Sequence, residues 1–267
     1  MDHQGVIIGC DQKQEWLLPW WWDHYSQYNS HPVACFDFGM SPKGIAWCRE
    51  KGQHIKLNES VTLDDQTIPC TQKEKWENRT GKGIWSCRSA WFKKPLTLLQ
   101  SPFDIGLWID LDCQINGSLE PLFNSLLFDG EIGLVKEPHF LTTELKYHGF
   151  LMEDALNFNS GVIVFRKQTN ILHQWAMEAI EHHAQHLGDQ DALNHALLKH
   201  QSHIIELPIE YNWIRHLGPN KTALIYHFTG SPGKIEILKN LKTDLQPIIR
   251  ELLPKLDCKD IYGMIQT

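Results

Sequence analysis

The sequence predicts an α/β fold in which one mainly parallel sheet is flanked by helices. Three observations carry that expectation. Short apolar runs recur along the chain, near-continuous rather than alternating, as strands buried on both faces require. Stretches of helical character separate them, which is the alternation of a parallel sheet with its crossovers. The 267 residues, 42% hydrophobic and 21% charged, suffice to bury one large core, and no internal repeat or linker divides them.

Taken in order, residues 6–10 form the first strand, which delivers Asp11 to its carboxyl end. Residues 14–28 read as a helix whose start Pro19 leaves open. Its Trp16, Trp20, Trp21, Trp22 and Tyr25 are expected in the core rather than as a platform for stacked bases. Residues 33–38 are a second strand, 42–51 a short helix and 54–57 a third strand. Residues 58–84 are polar and hold Pro69 and Gly81-Lys82-Gly83, so they read as a long loop. The G-x-G in that loop lacks a preceding strand and a third glycine, and a phosphate loop is not expected there. Residues 86–100 are helical, interrupted at Pro95, and place Arg88, Lys93 and Lys94 ahead of the central strand. These cations form either a solvated face or a charge partner for a diphosphate.

The central strand is the run Gly106-Leu107-Trp108-Ile109, which ends in Asp110-Leu111-Asp112. If the extended conformation persists, both carboxylates point one way and Leu111 turns inward. Ligands of open α/β sheets bind at the carboxyl ends of the strands. Two hard oxygen ligands there suit Mg²⁺ or Mn²⁺, with the remaining positions taken by water and a phosphorylated substrate. The competing reading is a solvated strand end with one Asp capping a turn.

Beyond it lie a helix over 121–128, a strand over 131–135 and a loop through 149. That loop carries Glu137, His139, His148 and Phe150 and is long enough to wall a pocket. Residues 160–165 form a buried strand entered through Asn157-Phe158-Asn159. A helix over 170–187 is stopped by Gly188, and another starts at Asp189. Residues 204–207 and 223–228 supply two more strands, and the tail reads as helical pieces packed outside.

Composition excludes several classes. A net charge of −7 argues against nucleic acid as a partner, because phosphate backbones demand basic surface. No apolar run approaches the roughly 20 residues of a membrane-spanning helix. No basic leader precedes the first strand, so a cytoplasmic location is expected. Seven scattered cysteines without C-x-x-C fit reduced thiols, and the N-x-S/T triplets at Asn58, Asn78 and Asn116 are then expected to stay unmodified. His182, His183 and His186 form H-H-x-x-H, which on a helix puts His182 and His186 on one face. No acid or cysteine stands at a suitable spacing, so a metal is not expected there.

Two further clusters offer chemistry. Asp189-Gln190-Asp191 opens a helix, where Asp189 is either an N-cap or an acid presented beside free N–H groups that hold hydroxyls or anions. His227 ends a strand before a glycine-rich turn that closes on Lys234; it is either a metal ligand followed by a phosphate-binding lysine or a hydrogen-bonded turn histidine.

In series, Trp108-Ile109-Asp110-Leu111-Asp112, Asn159-Ser160-Gly161-Val162, 188–194 (GDQDALN), Leu207-Pro208 with Tyr211-Asn212, and His227-Phe228-Thr229-Gly230 resemble glycosyltransferase family 8 in order and spacing. The resemblance implies a single-domain type A glycosyltransferase fold over 1–236, with a helical tail over 237–267 packed on it. It implies a nucleotide-sugar donor, usually UDP-linked, Mn²⁺ (or Mg²⁺), and transfer with retention to a glycan or lipid-linked saccharide acceptor. Contact with a membrane would be peripheral at most. Carried over motif by motif, Asp110, Asp112 and His227 would ligate the metal, and Asp11 would contact the uridine. Asn159 and Asp189 would hold sugar hydroxyls, with Gln190 near the anomeric carbon. Lys93, ahead of Pro95, is the nearer match to the family's cation. Lys234 stands four residues after Gly230 instead of three, and Ile235-Glu236 replaces the family's Pro-Trp, which leaves its phosphate contact open.

Alternatives from other classes are a sugar-phosphate nucleotidyltransferase and a non-catalytic nucleotide-sugar binding protein. The former needs a glycine- and base-rich loop after the first strand, whereas residues 10–14 (CDQKQ) contain no glycine.

Asp189 separates capping from chemistry. As a cap alone, Asp189→Asn is nearly neutral and Asp189→Ala costs on the order of 1 kcal/mol. As a holder of the donor sugar, Asn keeps UDP binding but loses transfer rate, on the order of a hundredfold for a misplacement of about 1 Å. The second outcome is expected, and transfer rates with melting temperatures of the two variants decide.

Overall fold

Strand pairing in the computed structural model, which describes residues 3–58, 63–126, 130–200 and 203–252, builds two sheets. The strands are β1 (Gln4–Cys10), β2 (Val33–Asp37), β3 (Gln53–Lys56), β4 (Ile105–Ile109), β5 (Cys113–Ile115), β6 (Ile132–Lys136), β7 (Phe158–Arg166), β8 (Ile204–Leu207), β9 (Trp213–Ile214) and β10 (Ile225–His227). Seven of them form the main sheet in the order β3-β2-β1-β4-β7-β6-β8, and β5-β10-β9 form a small second sheet. All pairings in the main sheet are parallel except those of β7, which runs against both β4 and β6.

The side-chain alternation of buried strands divides the core in two. Val6, Ile8, Ile105, Leu107 and Ile109 face a layer completed by Trp16, Trp20 and Trp21 of the segments Glu15–Leu17 and Leu18–Tyr25. Ile7, Trp108 and Phe165 face the opposite layer, closed by helices Lys94–Leu99, Asn170–Glu181 and Asp189–His200. Trp16, Trp20 and Trp21 are core, as expected, and Trp22 packs against it partly buried. Pro19 sits in the first turn of its helix, where its missing N–H costs nothing. The helix Gly230–Lys239 runs through position 236, and Ile237, Ile249 and Leu252 all bury into the first layer. The expected tail beyond 252, like Leu127 and Phe128 of the helix expected over 121–128, lies outside the described residues.

Four sequence expectations change. The segment read as a loop over 58–84 holds the helix Cys70–Thr80, whose one buried residue is Trp76; a helix without an apolar stripe has no periodic signature. The loop expected after β6 likewise contains the helix His139–Tyr147, with no buried residue. Residues 225–227 leave the main sheet to pair with β5 and β9. The helix expected to reach 187 stops at Glu181, and a single 3₁₀ turn, His183–Gln185, follows.

That last break is held by Arg88. Its guanidinium is fully buried, donating to the carbonyls of His186 and Leu187 at 2.6 Å and of His183 at 3.0 Å. Asp65 lies 3.3 Å from its Nε, and the rings of Trp76 and Phe92 cover its faces. Arg88 is therefore neither a solvated cation nor a diphosphate partner: it satisfies carbonyls that the interrupted helix leaves open. Arg88→Met strips these bonds at roughly 1–3 kcal/mol per orphaned buried acceptor. A stability loss of about 3 kcal/mol or more is expected in urea denaturation.

Candidate active site

The carboxyl end of β4, the amino end of β7 and the amino end of helix Asp189–His200 meet at one buried lysine. Lys94 Nζ lies 3.1 Å from Asp110 Oδ1 and 2.9 Å from Asp189 Oδ2, and it donates to the Ser160 carbonyl at 3.1 Å. Burial opposes its charge, but Asp110 and Asp189 outweigh that and hold its pKa above the ordinary lysine value. Asp110 also accepts from Trp108 Nε1 at 2.7 Å, and Asp189 accepts from Ser160 Oγ at 2.8 Å. The Asp189 side chain is thus spent on an ion pair within the site, and a pure N-cap role does not describe it. In Asp189→Asn, Lys94 also loses an ionic partner, so the melting temperature falls along with the rate.

The chain does not stay extended past Ile109. It turns, with Cys113 N–H donating to the Asp110 carbonyl at 3.0 Å, and resumes as β5. This turn separates the carboxylates, and β10 then brings His227 between them. Antiparallel pairing aligns His227 with Cys113, and Phe228 N–H donates to the Asp112 carbonyl at 2.8 Å. His227 Nε2 ends 3.3 Å from Asp112 Oδ1 and 3.8 Å from Asp110 Oδ2.

An amide relay sets the tautomer of that histidine. Asn159 Oδ1 accepts the Gly161 N–H at 2.7 Å, which identifies it as the oxygen. It also accepts Asn212 Nδ2 at 2.7 Å, so Asn212 Oδ1 faces His227 Nδ1 at 2.9 Å and must receive its proton. Nε2 is left for the carboxylates or for whatever they hold. Gly161 is required beneath the ring: a Cβ there would stand 2.3 Å from His227 Cε1.

Charge at the site is nearly balanced. Lys234 Nζ lies 2.7 Å from Asp112 Oδ2. Burial would raise the Asp112 pKa, but Lys234 and His227 hold it well below the carboxylate range. Burial raises that of Asp110, and Asp112 adds to it against the pull of Lys94. His227 is raised, its burial outweighed by the hydrogen bond and charge of Asp112.

The remaining expected residues divide into two groups. Asn159 is 6% exposed and engaged by Gly161, Asn212 and Glu137, the last through Nδ2 at 2.7 Å. Gln190 accepts the Ser160 N–H on Oε1 at 3.2 Å and donates to Glu137 Oε1 at 3.4 Å. Asp11 and Lys93 stand apart, toward β1 and β2. Lys93 Nζ donates to the Phe38 carbonyl at 2.7 Å, and Asp11 Oδ1 accepts the Lys13 N–H at 3.0 Å. Lys94, one residue on, occupies the place beside the acidic pair; neighbours on a helix point about 100° apart, and the sequence does not say which faces in.

Sequence reasoning also missed Asn212 as the histidine's partner and Glu137 as the link between Asn159 and Gln190. Glu137 Oε2 is buried without a hydrogen-bond partner. Beside it opens a cavity of about 430 Å³ lined by Glu137, Pro138, Leu207 and Pro208.

No protein-family profile matches the sequence, and no curated protein does. Solved structures match over nearly the whole chain. The galactosyltransferase LgtC, in complex with donor and acceptor sugar analogues, superposes with a TM-score of 0.55 at 16% identity, over 95% of this chain and 96% of its own. The chain has the type A glycosyltransferase fold. Mouse xyloside xylosyltransferase 1 in its apo form shares it, with a TM-score of 0.53 at 15% identity over 84% of this chain and 97% of that one. So does the glycosyltransferase GlyE of Streptococcus pneumoniae TIGR4, at 0.55 and 16%, over 94% of this chain and 63% of the longer GlyE chain. This architecture agrees with the one implied by the family 8 motifs.

Asp191 supplies a pH signature. It accepts the Gly188 N–H at 3.1 Å, and burial pushes its pKa from 3.8 up to about 6. The folded value exceeds the unfolded one, so folding takes up a proton; this contribution is complete below about pH 4 and lost as pH rises through 6. Asp191→Asn keeps the acceptor without the charge. Its melting temperature should exceed wild type near pH 7.5 and coincide with it near pH 4.

Proposed function

We propose that this protein is a family 8 glycosyltransferase that moves a hexose, with retention, from a UDP-sugar to a glycan or glycoconjugate acceptor, using Mn²⁺ or Mg²⁺. One observation carries the reading: His227 Nε2 lies 3.3 Å from an Asp112 oxygen and 3.8 Å from an Asp110 oxygen, with Lys234 paired to Asp112 beside them. Five family motifs in order, now on a matching fold, support it.

The donor set fits a divalent ion. The relay through Asn159 and Asn212 leaves His227 Nε2 free to ligate, and two carboxylates supply the hard oxygens that Mn²⁺ favours. Bound there, the ion would supply Lewis-acid neutralisation of the departing diphosphate.

The chain's own residues do the rest. Lys234, which pairs with Asp112, would also stabilise negative charge on the diphosphate; its irregular spacing after Gly230 does not prevent it from reaching the acidic pair. Lys94 keeps Asp110 ionised and anchors Asp189 where sugar hydroxyls are to be held. Gln190 Oε1 already accepts the Ser160 N–H, which weakens an amide oxygen that is a feeble nucleophile to begin with. This favours attack by the acceptor on the same face of the sugar from which UDP leaves, over a covalent intermediate on Gln190. The acceptor is proposed to enter through the cavity that Glu137 lines, where that carboxylate would orient its hydroxyl. Asp11, with Lys93 nearby, lies at the β1–β2 edge, where the uridine is proposed to bind.

No helix among the described residues is long and apolar enough to cross a membrane. We assign the activity to the cytoplasm, with at most peripheral contact with a membrane carrying a lipid-linked acceptor.

Calorimetry of UDP with Mn²⁺ and with EDTA tests the reading. Chelation should weaken binding by at least about tenfold, near 1.4 kcal/mol. Asp112→Asn should abolish the metal's effect, along with release of sugar from a labelled UDP-sugar. Equal affinity under both conditions overturns the metal-dependent reading.

A further inference from the structure

The turn between helices Asn170–Glu181 and Asp189–His200 gathers a second group of ligating atoms. Glu178 Oε2 lies 3.1 Å from His186 Nε2 and 3.1 Å from His195 Nδ1. None of these residues belongs to the site described above. The sequence shows His186 only within H-H-x-x-H, where no acid stands at a suitable spacing. Folding supplies the acid: Glu178 reaches back from the preceding helix, and His195 comes across from the following one.

We propose that Glu178, His186 and His195 form a second metal site, one that takes a borderline-soft divalent ion of the Zn²⁺ class. Three features support it. The three ligand atoms all lie within 4.8 Å of one another, and tetrahedral zinc with ligands at about 2.0–2.2 Å separates them by roughly 3.3–3.6 Å, so a small rotation of His195 closes the set. His195 Nδ1, although 3.1 Å from the carboxylate, makes no hydrogen bond to it and is buried without a partner. Its lone pair is therefore not committed elsewhere. Lys199 Nζ sits 3.4 Å from Glu178 Oε1 and occupies that oxygen, leaving Oε2 as a single-oxygen ligand.

The site has an entrance. Glu178 and His186 side chains are 4% and 7% exposed, whereas His195 is 42% exposed. Water completes the shell from that side. Two nitrogens and one oxygen select against Mn²⁺ and Mg²⁺, which prefer oxygen, so the two sites differ in the ion they take. The bound ion braces the His186–Leu187 turn whose carbonyls Arg88 holds, immediately before Asp189 and Gln190.

The test uses the full untagged chain, stripped with EDTA and carrying Asp112→Asn so that the carboxylate pair does not compete. Zn²⁺ titration by calorimetry should show about one equivalent bound, and Co²⁺ should develop the visible bands of a four-coordinate site. Adding His195→Ala, at a half-exposed position, should leave the metal-free melting curve unchanged and weaken Zn²⁺ binding by at least about tenfold. Glu178→Gln should weaken it likewise. If the Asp112→Asn protein binds no Zn²⁺, or if His195→Ala binds it as tightly, the cluster is only a neutralised buried carboxylate and the proposal is overturned. These readouts do not depend on sugar transfer, so they stand or fall separately from the proposed activity.

Discussion

Lys94 is the ion around which the site is assembled. Its ammonium touches the end of β4 through Asp110, the strand β7 through Ser160 and the last crossover helix through Asp189. Elements distant in sequence are thereby drawn to a single point. Removing one partner of a buried pair leaves an uncompensated charge, typically at about 3–5 kcal/mol, so each of these contacts constrains the others. The packed layers on either side of the sheet bring the elements near one another; the ammonium sets how their ends meet.

The second constraint is a register. β5 is three residues long and follows the turn at Asp112, so antiparallel pairing with β10 leaves His227 opposite Cys113. A slip of one residue would point the imidazole away from both carboxylates. Gly161 leaves the space that the ring fills, and the amides of Asn159 and Asn212 turn its Nε2 toward the acids. Asn159 thus acts on the acidic pair through two intermediaries, Asn212 and His227. In the sugar-binding role implied by the family motifs it would act directly, and its 6% exposure makes the indirect role the one its contacts describe.

The region around Arg88 does for the helix turn what Lys94 does for the strand ends. A buried guanidinium with five donors can serve several carbonyls at once, which a lysine cannot do in the same planar arrangement. The interruption at His182 is what turns His186 toward Glu178 and sets Asp189 at a helix start. One side chain, remote from the acidic pair, therefore shapes both the approach to Asp189 and the Glu178–His186–His195 cluster.

The chain alone was enough for the strands that run into the acidic pair, the α/β class and the helix start at Asp189, whereas only the resemblance to family 8 set Asp110, Asp112 and His227 together. Buried strands and helix starts leave local patterns, and those patterns survive without knowledge of neighbours. The polar helices Cys70–Thr80 and His139–Tyr147 left none, because almost no apolar residue marks a buried face. Tertiary structure alone decided that Lys94 rather than Lys93 meets the acids, that Asn212 orients the histidine, and that Glu178 joins His186 and His195. Each of these is a contact between residues far apart in the chain or a choice between adjacent ones. Spacing carries no record of such contacts; they arise when buried charges and amides, once packed, must find partners.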